Sequence, residues 1–394
     1  MTASATRRAA LHGALAAALA LSPPAGVAAP PLVVGLTLPE TGLHAQAAED
    51  ARRGLVLWAE EASAAGGRRV ELRILDDGSD ARAAGALYGR LARDHGAEAL
   101  LGPYGLAATL AAAASAEREG RPLLATAFPS ARRARGERHV FWLQPPPQAW
   151  AEAILAAVSA AGAERLYLLA RDDPASAAIA QALRDAARGA GLAIAEAEPL
   201  RPGSGDFSAS IARARAFAAQ AWIALAGLHE AARMVEGFFR AGWAPALFFA
   251  QESDQAAFRA QVGRDAEGAL AAVLWHERAR TPGNAGFVER YARRWGAKPS
   301  AQAALAYSAG LAIGAAAARA QAPGAAALRE ALAAIEVETP LGTLRAGADG
   351  RWVVPGPLLV QVQGGRVEVL RPETAASAAA VLPYAPASLG KATP

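Results

Sequence analysis

Residues 70–102 read VELRILDDGSDARAAGALYGRLARDHGAEALLG, and this stretch decides the fold. It opens with the alternating apolar and polar pattern of a strand over 70–75. An alanine-rich helical segment follows over 81–95, and a short apolar run at 99–101 predicts a second strand. Because a helix between two strands serves as a crossover connection, we expect the two strands to lie parallel in one sheet.

The same alternation of strand and helix continues on both sides of this stretch. Further strands are predicted at 32–36, 122–125, 166–169, 192–194, 221–225, 246–249 and 271–275. Further helices are predicted at 47–63, 107–119, 149–160, 176–189, 207–218, 230–240 and 254–262. Since 394 residues exceed what one core usually holds, the pattern predicts an α/β fold in two lobes.

The C-terminal part departs from this alternation. Strand patterns at 358–362 and 367–370 flank a Gly-Gly turn and predict a β-hairpin. The stretch 375–394 is rich in alanine and proline, and we expect it to be a loose arm.

The N-terminus has the pattern of a secretory signal peptide. Arg7 and Arg8 precede an apolar run over 9–21, which is too short to span a bilayer, and small residues precede Ala29. We therefore predict that residues 1–28 are removed, that the mature protein is periplasmic, and that no segment inserts into the membrane.

Composition and motifs argue against several classes of function. The chain has 40 Lys and Arg against 36 Asp and Glu, without the basic clusters of a nucleic-acid-binding protein. It has no cysteine, and its six histidines do not occur at metal-ligand spacing. No phosphate loop, dinucleotide fingerprint or nucleophile elbow is present. We therefore predict no enzyme activity, no catalytic residues, no metal and no cofactor.

Two pairs of adjacent aspartates follow predicted strands, at Asp76-Asp77 and Asp172-Asp173. In an open α/β sheet this is the edge where ligands bind. The pairs have two interpretations: loop acids that cap the next helix, which we favour, or a general acid and base.

An ordered set of short motifs resembles the branched-chain-amino-acid class of type I periplasmic binding proteins. These motifs are Thr41-Gly42, Gly66-Gly67, Asp76-Asp77, Leu101-Gly102-Pro103-Tyr104-Gly105, Gly120-Arg121-Pro122-Leu123, Asp206-Phe207-Ser208, Arg240-Ala241-Gly242, Thr339-Pro340-Leu341-Gly342 and Asp349-Gly350. Each is weak alone, but their order and spacing cover nearly the whole mature chain.

The resemblance implies a fold and a function. It implies two Rossmann-like lobes with parallel central sheets, joined by a three-strand hinge near 144–145, 276–277 and 354–355. Lobe 1 would comprise 29–144 and 277–354, and lobe 2 would comprise 145–276 and 355–394. The protein would be a monomer that closes on a small molecule and delivers it to an ABC permease. A periplasmic ligand sensor with the same fold is the alternative.

The resemblance also implies a ligand site in the cleft between the lobes. The expected ligand-binding residues are Tyr104, Gly105, Thr109, Ala127, Phe128, Ser130, Asp172, His229, Glu252 and Trp275. Glu252 aligns with the acid that pairs with the ammonium group of an amino-acid ligand. Tyr104, Phe128 and Trp275 would supply apolar and stacking surface.

Several of these positions keep a second interpretation. Phe128 suits the core as well as the cleft, and Trp275 suits hinge packing as well as the cleft. His229 suits an exposed helix start.

The hydroxyl groups expected beside a ligand carboxylate are mostly absent from residues 104–109, and Arg171 stands in the stretch where an aromatic residue is expected. We therefore expect a ligand other than a standard branched-chain amino acid.

Overall fold

The computed structural model describes residues 29–42, 44–127, 136–196, 199–201, 203–348 and 351–389. The predicted signal peptide, and Phe128 and Ser130 among the expected ligand-binding residues, lie outside the described residues. The strands are β1 (Leu32–Leu38), β2 (Val70–Asp76), β3 (Ala99–Leu101), β4 (Leu123–Ala125), β5 (Val140–Trp142), β6 (Arg165–Ala170), β7 (Ala193–Glu196), β8 (Ala221–Leu225), β9 (Leu247–Ala250), β10 (Leu270–Val273), β11 (Glu336–Thr339), β12 (Gly342–Ala346), β13 (Trp352–Val353), β14 (Leu358–Gln363) and β15 (Arg366–Arg371).

From β1 to β10 the helices alternate with the strands as the sequence predicts, except that β4 and β5 are consecutive, and three helices in succession follow β10. They are α1 (Ala45–Ala64), α2 (Ala81–Arg93), α3 (Leu106–Glu119), α4 (Pro147–Ala160), α5 (Pro174–Gly189), α6 (Ser208–Ala216), α7 (Leu228–Arg240), α8 (Ala256–Val262), α9 (Asn284–Trp295), α10 (Ala301–Arg319) and α11 (Ala325–Leu332).

The first sheet is five-stranded, has the order β2-β1-β3-β4-β5 and is wholly parallel. The unit of residues 70–102 forms β2, α2 and β3, and β1 inserts between the two strands. All five strands therefore end at the same side of the sheet, where the loops before α1, α2 and α3 come together.

The second sheet is seven-stranded, with the order β15-β14-β10-β9-β8-β6-β7. Strands β6 to β10 are parallel, as predicted. The predicted hairpin forms β14 and β15 and joins β10 antiparallel, so this sheet is mixed and not purely parallel. A two-residue turn can connect antiparallel strands only, which explains why β15 runs opposite to β14.

The core beside the first sheet is built on close packing of α1 against α10. A Cβ atom at Gly54 would lie 2.1 Å from the carbonyl oxygen of Ala303, and one at Gly310 would lie 2.3 Å from the indole ring of Trp58. Neither position therefore has room for a residue with a side chain. Helix α10 is long and apolar enough to cross a membrane, but 61% of its apolar stretch is buried inside the protein.

A small antiparallel sheet of β11, β12 and β13 packs on the same core. The indole N–H of Trp352 donates to the carbonyl oxygen of Leu332 at 2.9 Å, and its ring contacts Phe141 with centroids 5.4 Å apart. Strands β11, β12 and β13 thus pack with the first sheet. The three predicted hinge crossings lie in irregular segments, after β5, after β10 and after β13. The lobe boundaries themselves stay a prediction.

The C-terminal arm is held firmly over its described part, so the expectation of a loose arm is wrong there. Tyr384 is 3% exposed, and its hydroxyl donates to the carbonyl oxygen of Asp265 at 2.8 Å. Its ring contacts Phe248 with centroids 5.3 Å apart. Gln361 exchanges two hydrogen bonds with the backbone of Val381. One buried aromatic residue and one buried amide therefore fix the segment, which composition alone could not indicate.

Candidate functional site

Two groups of loops follow the carboxyl ends of the parallel strands. We call residues 102–105 and 126–127, after β3 and β4, the first edge. We call residues 171–172, 226–229 and 251–254, after β6, β8 and β9, the second edge. Between them they contain every expected ligand-binding residue that the structure describes, except Thr109 and Trp275.

The start of α3 is the main structural feature of the first edge. Gly105 precedes the helix with φ +87°, a left-handed conformation that favours glycine. No side-chain cap is present at this helix start within the described residues. The N-terminal N–H groups of a helix lack intrahelical acceptors and carry a partial positive charge, so they favour an anion or another acceptor.

Thr109 shapes this loop from inside. Its side chain is fully buried, and its hydroxyl lies 2.8 Å from the carbonyl oxygen of Gly105 and 3.2 Å from that of Pro103. The expectation that Thr109 offers a hydroxyl to a ligand is therefore wrong, because that hydroxyl donates to the protein's own backbone.

Tyr104 is the aromatic residue of the first edge. It is half-buried, and its ring contacts that of His44 with centroids 4.7 Å apart. It also lines a small cavity of about 30 Å³, together with Leu36, Thr37, Leu38, Ala48, Ala51, Leu101, Gly102, Pro103, Thr126, Gln302, Leu305 and Ala306. His44 and Gln302 were not predicted. No local motif marks either residue, since α1 and α10 bring them here from distant parts of the chain.

Thr126 and Ala127 complete the described part of the first edge. The hydroxyl of Thr126 donates to the carbonyl oxygen of Pro103 at 2.7 Å. The side-chain amide of Gln144 donates to the carbonyl oxygen of Thr126. Ala127 is half-buried. The hydroxyl groups of both threonines, Thr109 and Thr126, thus stabilise the loop after β3.

Of the paired aspartates, Asp173 caps the next helix as the favoured interpretation predicts, whereas Asp76 and Asp77 stabilise loops and Asp80 caps α2. Asp77 accepts a hydrogen bond from the Thr37 hydroxyl at 2.6 Å, and Asp76 accepts from the backbone N–H of Glu40 at 2.9 Å. Asp173 caps α5 by accepting from the backbone N–H groups of its first turn. Asp172 is exposed. Since three of these four carboxylates are committed to backbone or hydroxyl donors, they do not form an acid and base pair.

Glu252 lies at the start of α7 in the second edge. Its Oε2 accepts a hydrogen bond from the backbone N–H of Leu228, the first residue of that helix, at 2.9 Å. The carboxylate therefore serves as a helix cap supplied from another loop, which is favourable electrostatically as well. His229, the next residue, is exposed.

Arg171 and Glu230 form an ion pair beside this cap. Arg171 Nη2 lies 3.0 Å from Glu230 Oε2, and the Glu230 side chain is 3% exposed. Burial alone would raise the pKa of Glu230. Hydrogen bonds from the backbone N–H groups of Gly203 and of Glu230 itself, and the charge of Arg171, outweigh burial and lower that pKa. Glu230 is therefore a buried carboxylate that holds Arg171 in place.

Two more polar residues of the second edge are partly buried. Burial and, to a smaller extent, the nearby charge of Glu252 raise the pKa of Asp254 to about 6. Gln251 donates its side-chain amide to the carbonyl oxygen of Ala272 at 2.9 Å. Its side-chain oxygen is buried and has no hydrogen-bond partner within the described part of the chain.

Trp275 lies outside both edges. It follows β10 instead of ending it, and it is 6% exposed. Its indole N–H donates to Asn284 Oδ1 at 2.6 Å, and its ring meets Phe287 edge-on with centroids 6.0 Å apart. Of the two interpretations, packing near a predicted hinge crossing is therefore the one that the structure supports. Among the described residues no group of three or more His, Asp or Glu side chains is placed to hold a metal ion.

The family model described as "Periplasmic binding protein" matches residues 31–366, which is most of the chain. The chain belongs to the periplasmic binding protein family. The match spans both edges, the first sheet and the second sheet up to the start of β15, and it confirms the resemblance seen in the sequence motifs. No curated protein matches the chain.

Solved structures agree with this assignment at the level of the fold. A branched-chain amino acid ABC transporter protein from Silicibacter pomeroyi has a TM-score of 0.81 at 22% identity, over 90% of this chain and 99% of its own. LivJ from Streptococcus pneumoniae, in complex with isoleucine, has a TM-score of 0.72 at 21% identity, over 87% and 100%. A solute-binding protein from R. palustris, in complex with benzoate, has a TM-score of 0.68 at 20% identity, over 89% and 98%.

Proposed function

We propose that this chain is the substrate-binding component of an ABC importer and holds a small organic molecule between the first and second edges. The observation that carries the proposal is the difference between three helix starts. At α5 and α7 a carboxylate accepts from the first N–H groups, whereas the start of α3 has no side-chain cap within the described residues. The first N–H donors of α3 therefore have no side-chain acceptor among the described residues and can bind a ligand.

The same geometry favours a particular ligand chemistry. The α3 donors suit a carboxylate, and Tyr104 with the neighbouring apolar wall of α10 suits an apolar or aromatic body. One oxygen of Glu252, the residue expected to pair with an ammonium group, is occupied by Leu228. A small organic acid fits this arrangement better than a branched-chain amino acid. The bound benzoate of the R. palustris protein shows that a protein of this fold accepts such a ligand.

The remaining parts of the proposal concern assembly and location. The chain would act in the periplasm after removal of residues 1–28, as a monomeric receptor without enzymatic activity, and would present its ligand to an inner-membrane permease. Lobe 1 (29–144 and 277–354) would close on lobe 2 (145–276 and 355–394) at the three crossings. A periplasmic sensor is the less favoured alternative, since the similar structures described above are named as parts of ABC transporters.

The proposal is tested by ligand binding to the mature chain, residues 29–394. Calorimetry with benzoate, other small aromatic and aliphatic acids, leucine and isoleucine should show that an acid binds most tightly. Tyr104→Ala should weaken binding by about 1–3 kcal/mol, the scale of a lost aromatic anchor, and Tyr104→Phe should weaken it less. Tight leucine binding would contradict the ligand class, and binding unchanged in Tyr104→Ala would remove this residue from the site.

A further inference from the structure

Arg171 places a positive charge directly at the end of a strand in the second edge. It follows β6 directly, and its backbone N–H donates to the carbonyl oxygen of Leu225 at 3.0 Å, so it lies beside the end of β8. Leu228, where α7 starts, and Glu252 belong to the same edge. The guanidinium therefore belongs to the second edge, on the side of the sheet where this fold binds ligands.

The guanidinium is fixed in place by its surroundings. Glu230 binds Nη2 through Oε2, and its other oxygen accepts from the backbone N–H of Gly203 at 3.0 Å. Gly227 lies directly beneath, because a Cβ atom there would be 2.0 Å from Nη2 and 2.8 Å from Glu230 Oε2. The φ angle of Gly227 is −79°, so this glycine is needed for space and not for its conformation. Arg171 is thus held by a buried carboxylate of the protein itself.

The donors of Arg171 are largely unused. Arginine carries five N–H donors and stays charged. Glu230 supplies the one hydrogen bond that the described residues give its guanidinium. The Nε atom is buried and has no partner within the described residues, and about a third of the side chain is exposed, at 35%. A fixed cation with free donors at a ligand edge is suited to bind a carboxylate or a carbonyl acceptor.

We propose that Arg171 is a specificity-determining residue that binds an acceptor group of the ligand from the second edge. This inference rests on the proposed function and refines it. With the start of α3 on the first edge and Arg171 on the second, the site selects an organic acid with acceptors at both ends. A dicarboxylate is the simplest such molecule. The carboxylates around Arg171 do not prevent this, because Glu230 is paired with it and Glu252 is bound to α7.

The test uses matched pairs of probes on the mature chain. Terephthalate and benzoate differ in the second carboxylate, as do adipate and hexanoate. Calorimetry should show that the wild type prefers a dicarboxylate over its monocarboxylate partner by at least tenfold. Arg171→Gln should weaken dicarboxylate binding by about 10- to 100-fold and change monocarboxylate binding by less than about threefold, the size of effect expected from a lost charge-assisted hydrogen bond.

Variants separate recognition from folding. Arg171→Gln leaves Glu230 buried without its partner, so the double variant Arg171→Gln/Glu230→Gln removes both charges and should show the same loss of preference. Arg171→Lys should retain part of it. Arg184→Gln is the matched control, because Arg184 pairs with Glu196 on the surface. Its binding should equal that of the wild type.

Other outcomes overturn the inference in distinguishable ways. If the tightest ligand binds equally to wild type and to both Arg171→Gln variants, Arg171 does not determine specificity, while the proposed function stands. A preference for leucine or isoleucine over every acid would also overturn it. If no acid and no amino acid in the panel binds the wild type, the inference and the proposed ligand class both fail.

Discussion

Replacing Glu252 distinguishes a helix cap from a carboxylate reserved for a ligand. As a cap, Glu252 accepts the backbone N–H of Leu228 at 2.9 Å. Loss of a capping acceptor costs about 0.5–2 kcal/mol, and loss of a charge near a helix N-terminus costs about 0.3–1 kcal/mol. We therefore expect Glu252→Ala to lower the free energy of unfolding of the ligand-free protein by about 1–2 kcal/mol.

Glu252→Gln keeps an oxygen acceptor and loses only the charge, so its cost should be about 0.3–1 kcal/mol. Glu289→Ala is the control, since Glu289 is 70% exposed and its pair with Arg293 is expected to contribute about 0–0.5 kcal/mol. Urea denaturation followed by circular dichroism measures all three. A ligand-free Glu252→Ala protein as stable as the wild type, or more stable, would refute the capping role, because a carboxylate kept only for a ligand repels Asp254 and its removal would be stabilising.

Three further predictions concern the arm, pH and the core. Tyr384→Ala should lower the free energy of unfolding by about 3–5 kcal/mol and Tyr384→Phe by about 1 kcal/mol, as measured by urea denaturation. If the urea concentration at the midpoint of unfolding were unchanged in Tyr384→Ala, the arm would contribute nothing to stability. Because the pKa of Asp254 is raised to about 6, its contribution to stability is complete below about pH 4 and is lost as the pH rises through 6. Asp254→Asn should therefore be more stable than the wild type at pH 7.5, by at most about 3 kcal/mol, and about equal to it at pH 3.5; a constant difference across this range would contradict the prediction. Gly54→Ala should cost at least about 1–3 kcal/mol, since the added methyl group meets the Ala303 backbone, and an unchanged melting temperature would argue against this close contact.

The alternation of strands and helices was predictable because each element carries its own periodicity. The βαβ unit of residues 70–102 forms β2, α2 and β3 as predicted, and the hairpin at β14 and β15 follows from its Gly-Gly turn. The anchoring of the C-terminal arm was not predictable. It depends on Tyr384 reaching Asp265 and Phe248, which are far away in the chain, and an Ala/Pro-rich composition gives no sign of such contacts.

The candidate site was predictable in outline only. The predicted ends of the strands were enough to locate both edges, because parallel strands all finish on one side of a sheet. The direction of each side chain was not predictable from residue type. Thr109 and Glu252 carry suitable groups, but the structure turns them toward the backbone of Gly105 and Leu228. Conversely, Arg171 stood out in the sequence only because it occupies a stretch where an aromatic residue was expected. Its ion pair with Glu230 depends on the end of β6 lying near the start of α7.

The central claim is that one ligand touches both edges, and hydrogen exchange tests it most directly. Exchange on the mature protein would be measured with and without a saturating concentration of the acid that binds most tightly. We predict slower exchange at residues 104–108 and, together with it, at residues 171–175 and 226–230. Protection at only one of these edges, or only at a region remote from both, such as the contact of Tyr384 with Phe248, would contradict the account.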